Sequence, residues 1–194
     1  MRLVLATRND HKVRELSRLL PGVALEPLPP RVTLPPEDGD TFAANALGKA
    51  RAAAAALGRP AIGDDSGIEA AALGGAPGIR SARFAGPGAS DADNLAELLA
   101  RAPAGSALRY VCVMAYAEPA GGAERTFTGT CEGSLAAQPR GTGGFGYDPA
   151  FLPADLDDCR TMAELSDAEK DAISHRGRAT RPLAAWLRER GSAR

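Results

Sequence analysis

At 194 residues, with 44% hydrophobic side chains, the chain is long enough for a single domain, or for two small lobes, with a real core. Its 23 Lys+Arg against 24 Asp+Glu leave a net charge of -1, which argues against a dedicated nucleic-acid or anionic-membrane surface. Three scattered cysteines and two histidines make a poor zinc set, and no stretch has the pattern of a secretory leader or of a membrane span, so a soluble, cytoplasmic protein is expected.

Leu3 to Ala6 is a short apolar run and reads as a buried strand. Thr7-Arg8-Asn9-Asp10 follows with helix-capping chemistry. Val13, Leu16, Leu19 and Leu20 then recur at helical spacing, and Pro21-Gly22 ends the helix. Val23 to Glu26 predicts a second short strand. Residues 27–40 hold five prolines and several acids and read as loop. An alanine-rich helix is predicted from Thr41 to Leu57, stopped by Gly58 and Pro60. Ala61 to Gly63 reads as a short strand that ends at Asp64-Asp65-Ser66. Asp91 to Arg101 has a helical stripe of Leu95, Leu98 and Leu99. Leu108 to Glu118 and Glu124 to Leu135 predict an antiparallel pair of strands joined by Ala120-Gly121-Gly122. Arg140 to Pro149 is a glycine-rich loop, Thr161 to Ile173 a helical region, and Ser174 onward a terminal helix. Early βα units with a later antiparallel pair give an α/β fold of mixed α+β character.

Several polar clusters can carry chemistry. In Thr7-x-Asn9-x-x-Lys12, a strand end feeds a helix start, where free N–H groups and the helix dipole welcome an anion. The same residues also read as a capped surface helix. Asp64-Asp65-Ser66-Gly67 puts two adjacent carboxylates where burial is costly unless they are paired, and a divalent cation would offset that cost. Those carboxylates could equally orient an attacking water, or form a solvated turn. Glu37 is a possible second metal ligand in an acidic loop. Asn45 and Lys49 are four apart and share a helix face. Phe145 and Tyr147 could stack on a nucleobase, with Asp148 or backbone groups at its edge, or could plug a core. Lys170, His175 and Arg176 gather three potential cations near one helix junction, and Arg176 could give a planar pair of donors.

Taken in order, LATRNDHKVREL at 5–16, EDGDTFAANALGKA at 37–50, AIGDDSGIEAAALGGAPGIRSARFAG at 61–86, GTGGFGYDPAF at 141–151 and AELSDAEKDAISHRGRA at 163–179 resemble the inosine/xanthosine triphosphate pyrophosphatase family. The resemblance implies one domain over 1–194, with an elongated mixed central sheet flanked by helices and two lobes around a deep substrate cleft. It also implies a homodimer. Under it, the enzyme cuts non-standard purine triphosphates (ITP, dITP, XTP) to monophosphate and pyrophosphate with Mg2+, or Mn2+ in its place. The turn Thr7, Arg8, Asn9, Asp10, His11, Lys12 would bind the triphosphate. Glu37 and Asp65 would hold the metal, with Asp65 activating water and Asp64 assisting. Asn45 and Lys49 line the phosphate side, and Ser66 would touch substrate. Phe145, Gly146, Tyr147, Asp148, Lys170, His175 and Arg176 would form the base pocket and its clamp. Two positions depart from the family pattern: Arg8 stands where a small residue is common, and Ala44 replaces a usual glutamate. Broader base specificity, or a weakened nucleotide sensor, are the alternative readings.

Overall fold

A computed structural model describes residues 2–192; Met1, Ala193 and Arg194, included in the single-domain reading, lie outside the described residues. Six strands form one sheet in the order β2-β1-β3-β4-β5-β6. They are β1 (Arg2–Ala6), β2 (Ala24–Pro27), β3 (Ala61–Ala70), β4 (Ala107–Ala117), β5 (Glu124–Leu135) and β6 (Phe151–Pro153). The helices are α1 (Asp10–Leu19), α2 (Phe42–Leu57), α3 (Asp91–Arg101), α4 (Asp167–Ile173) and α5 (His175–Ser192). β1 pairs in parallel with both β2 and β3, while β5 and β6 are antiparallel, so the sheet is mixed. No helix among the described residues is long and apolar enough to cross a membrane.

The chain divides into two compact units. The first comprises the residues up to Asp65, Cys112–Gly129, and the chain from Arg176 onward. Its core joins Leu3 and Leu5 of β1, Leu16 and Leu20 near α1, Met114 and Tyr116 of β4, and Leu183 and Leu187 of α5. Asn9 caps α1, and Gly58 closes α2 in the left-handed conformation that glycine adopts without strain. Alanine on α2 has a structural reason. A Cβ placed on Gly63 of β3 would stand only 2.3 Å from the Ala46 carbonyl oxygen, so helix and strand backbones approach closely. That approach sets Asn45 and Lys49 of α2 against the β3 carboxylates.

The second unit comprises Ser66–Val111 and Thr130–His175. Ile68, Leu98, Leu108, Tyr110, Leu135, Tyr147, Phe151 and Met162 build its core. Reciprocal capping boxes start α3 at Ser90 and α4 at Ser166.

One expectation changes in a way that matters. β3 does not end at Gly63 but continues to Ala70, so Asp64 and Asp65 lie inside a strand. Successive strand side chains point to opposite faces. The two carboxylates therefore meet different partners, and no cation shared between them is needed to bury both. A smaller difference is β6, whose three residues carry too little pattern to be read from sequence.

Candidate active site

In the first unit, α1, α2, β3 and α5 supply two ionic clusters. On one face of β3, Asp64 is fully buried and paired with Lys12 and with Arg176, whose Nε donates to Oδ2 at 2.9 Å. Arg176 Nη1 also donates to Glu15 Oε2 at 2.6 Å, and the Cys112 thiol contacts Asp64 Oδ2 at 3.3 Å. Burial alone would raise the Asp64 pKa, but Arg176 and Lys12 outweigh it and hold this carboxyl well below the usual range. Burial, together with Asp64, pushes the Cys112 thiol well up, so it stays a neutral donor.

On the other face, Asp65 accepts from Asn45 Nδ2 at 3.1 Å and from Lys49 Nζ at 3.2 Å. Lys49 Nζ also reaches Glu37 Oε1 at 2.6 Å. The Asn45 amide oxygen accepts the Gly39 N–H at 2.9 Å, which ties the acidic loop to the helix. Here two carboxylates share one ammonium. Burial first, and Glu37 second among the raising causes, push the Asp65 pKa up despite the pull of Lys49. Lys49 is raised in turn, because Asp65 and Glu37 outweigh its own desolvation. Two carboxylates around one ammonium leave the trio itself with one formal negative charge in excess.

That excess is the test of metal fit. Among the described residues no group of three or more His, Cys, Asp and Glu could hold an ion alone. Magnesium does not require such a cage, since it is usually held by one or two carboxylates with waters and substrate phosphates. Glu37 and Asp65 are a donor set of that kind. Ala44, at the exposed first turn of α2, adds no oxygen ligand.

The Thr7 to Lys12 turn differs from an open anion cradle. Asn9 Oδ1 accepts the N–H groups of His11 and Lys12, at 2.9 and 3.2 Å, and Thr7 Oγ1 accepts the Asn9 N–H at 3.2 Å. His11 meets Arg14, and Asp10 and His11 are exposed. Arg8 does not face the turn. Its Nη2 donates to the carbonyls of Val32 at 2.6 Å and Pro30 at 3.2 Å, bracing the proline-rich segment. A small residue at this place would have no such reach.

The second unit gathers a separate cluster around the glycine-rich loop. Asp148 is buried, and its Oδ2 accepts from Lys170 Nζ at 2.7 Å and from the Phe145 N–H at 2.8 Å. Its Oδ1 accepts from the Tyr110 hydroxyl at 3.1 Å. Gly144 sits at φ +67, and a Cβ there would stand 2.1 Å from Asp148 Oδ2, so only glycine fits. Lys170 Nζ lies 5.1 Å from the centre of the Phe145 ring, a cation–π distance. The Gly146 N–H is held by Asp91 at 2.9 Å. Tyr147 is buried, with its hydroxyl donating to the Ser81 carbonyl at 2.7 Å. Of the two loop aromatics, Phe145 is the partly exposed one, so stacking falls to it and not to Tyr147. Asp148 likewise faces inward, as a pin for the loop. His175 stacks on Tyr110, and half-buried Ser66 opens this unit.

The helix-junction cations are thus divided. His175 and Lys170 belong to the second unit and Arg176 to the first, where Nε and Nη1 already donate to carboxylates. The guanidinium that the resemblance assigns to the base clamp thus already serves Asp64 and Glu15 through Nε and Nη1. Glu15, Cys112 and Tyr110 are members of these clusters that sequence reasoning missed. Only Glu15 carried a signal, three residues beyond Lys12 on a helix face shared with it.

Residues 3–186 match the sequence profile described as the Ham1 family. A dITP/XTP pyrophosphatase of Symbiobacterium thermophilum is 53% identical over 92% of this chain and 90% of its own length. A dITP/XTP pyrophosphatase of Frankia alni is 48% identical over 97% of this chain and 98% of its own. Among solved structures, a HAM1 protein from Coxiella burnetii superposes with a TM-score of 0.87 at 40% identity, covering 97% of this chain and 99% of that one.

Proposed function

This chain belongs to the Ham1 family, and on that premise we propose that it hydrolyses non-standard purine nucleoside triphosphates (ITP, dITP, XTP) to the monophosphate and pyrophosphate. The observation that carries the reading is the Glu37–Lys49–Asp65 cluster, two carboxylates sharing one ammonium beside a buried Asn45. The identity of its relatives as dITP/XTP pyrophosphatases supports it.

In this reading Asp65 is the catalytic residue. Its carboxylate, held by Asn45 and Lys49 on one face of β3, is the group placed to accept a proton from water. Asp65 orients a water and takes its proton as the water oxygen bonds to the α-phosphorus. The bond from that phosphorus to the β-phosphate bridging oxygen breaks, and pyrophosphate leaves. Lys49 and Lys12 neutralise the phosphate charge. Glu37 and Asp65 would hold Mg2+, which when bound supplies charge neutralisation and polarises the phosphoryl group. Mn2+ has the same preference for oxygen donors. Phe145 offers its ring face to the purine, with Lys170 and His175 beside the same loop. Donors meeting the 6-keto oxygen would be left facing the amino group of adenine, at about 1–3 kcal/mol per unsatisfied buried group. The reading also places the chain in the cytoplasm as a homodimer.

A pyrophosphate-release panel over ITP, XTP, GTP, ATP and dUTP, with and without Mg2+, tests this. ITP and XTP are expected to turn over at least about 10-fold faster than ATP by kcat/KM, and chelation is expected to remove the activity. Even turnover across purines and pyrimidines would instead support a broad nucleotide pyrophosphatase. Nucleotide binding without pyrophosphate release would support a sensor.

A further inference from the structure

We infer that Tyr110 is a positioning residue for base recognition, its ring carrying His175 and its hydroxyl fixing Asp148. The inference rests on the reading above that the second unit's cluster takes the purine. Tyr110 lies on β4 and is buried. Its ring is stacked on the His175 imidazole, with centroids 4.4 Å apart and planes 8° from parallel. Phe151 supports the ring, at 4.6 Å and a 43° tilt. The hydroxyl donates to Asp148 Oδ1 at 3.1 Å. The other Asp148 oxygen receives Lys170 and the Phe145 N–H, and Lys170 in turn stands over the Phe145 ring. One phenol therefore ties together His175, Asp148, Lys170 and the loop carrying Phe145.

The chemistry of the link is one-directional. An ionised carboxylate only accepts, so the hydroxyl must donate. Burial, and then the Asp148 charge, push the phenol pKa well above its ordinary value, so the donor persists across the working pH range. Without the hydroxyl, Asp148 Oδ1 loses its side-chain donor while Oδ2 keeps two. The carboxylate is then free to turn toward Lys170, and the Phe145 backbone bond turns with it. Phenylalanine would keep the stack on His175 and the contact with Phe151, which isolates the hydroxyl.

The test compares kcat/KM for ITP and for ATP in the parent and in Tyr110→Phe. The ITP:ATP ratio is expected to fall about 10-fold, through the KM for ITP, with kcat within about twofold. A loss of folded enzyme scales both substrates alike and leaves that ratio unmoved, so the ratio separates positioning from stability. An unchanged ratio in Tyr110→Phe overturns the inference. Asp148→Asn and the double variant Y110F/D148N provide a second route. The two effects on the ratio are expected to overlap, because both pass through one carboxylate, and effects that simply add would overturn the link. A parent enzyme with no preference for ITP over ATP would sink the functional reading itself, and this inference with it. A discriminating parent beside an unaffected variant sinks the inference alone.

Discussion

Asp65→Asn is expected to lower kcat for ITP by about 10³-fold, while the affinity for the nucleotide monophosphate product changes by less than about 10-fold. The replacement is nearly isosteric, and its amide oxygen can still accept from Lys49 or Asn45. What it loses is the basic carboxylate. Desolvation first, and then Glu37, disfavour ionisation of this acid, so the fold gains little from its charge despite the Lys49 pair. Stability should accordingly hold or rise slightly, because Lys49 retains Glu37 at 2.6 Å and the excess negative charge of the cluster disappears. Rapid-quench or coupled pyrophosphate assays measure the rate, and calorimetric titration with IMP measures binding. A variant that turns over at the parental rate would remove Asp65 from the chemistry and move the search for the base to Glu37.

How much of this was legible in the sequence varies from residue to residue. α1, α2, α3 and β5 follow directly from periodicity, caps and breakers, because their signals are local. Lys49 and Asn45 are legible as a shared helix face for the same reason. The partition of Asp64 and Asp65 is not. Three apolar residues followed by two acids read as a finished strand, since two buried carboxylates are prohibitive unless paired. The side chains that pair them are at positions 12, 45, 49 and 176, and no local pattern shows that they converge. Arg8 fails for a related reason: its partners are backbone carbonyls of a loop, which leave no trace in side-chain sequence. Tyr110 reads as one more apolar strand residue because its function depends on a hydroxyl meeting an acid 38 positions away. Collinear motifs carry the family, whereas the wiring inside each cluster is long-range ionic geometry.

Arg176→Ala is expected to destabilise the fold by about 3–5 kcal/mol, because it removes one partner from a buried ionic network. For a chain of this length that lowers Tm by roughly 10 °C. The network balances Lys12 and Arg176 against Asp64 and Glu15, and Arg176 bridges the two carboxylates. Truncation removes the guanidinium from both Glu15 and Asp64, in a site where both carboxylates are almost fully enclosed. Burial that the guanidinium had offset would then favour protonated acids, so the loss should be larger at pH 8 than at pH 5. The control is Arg51→Ala. Arg51 makes an equally short bidentate pair with Glu124, but in solvent, so its removal should cost under about 1 kcal/mol. Thermal melts of the two variants side by side decide the matter. Similar small shifts in both would mean that the Asp64 cluster is held by packing, and that Arg176 is available for a substrate after all.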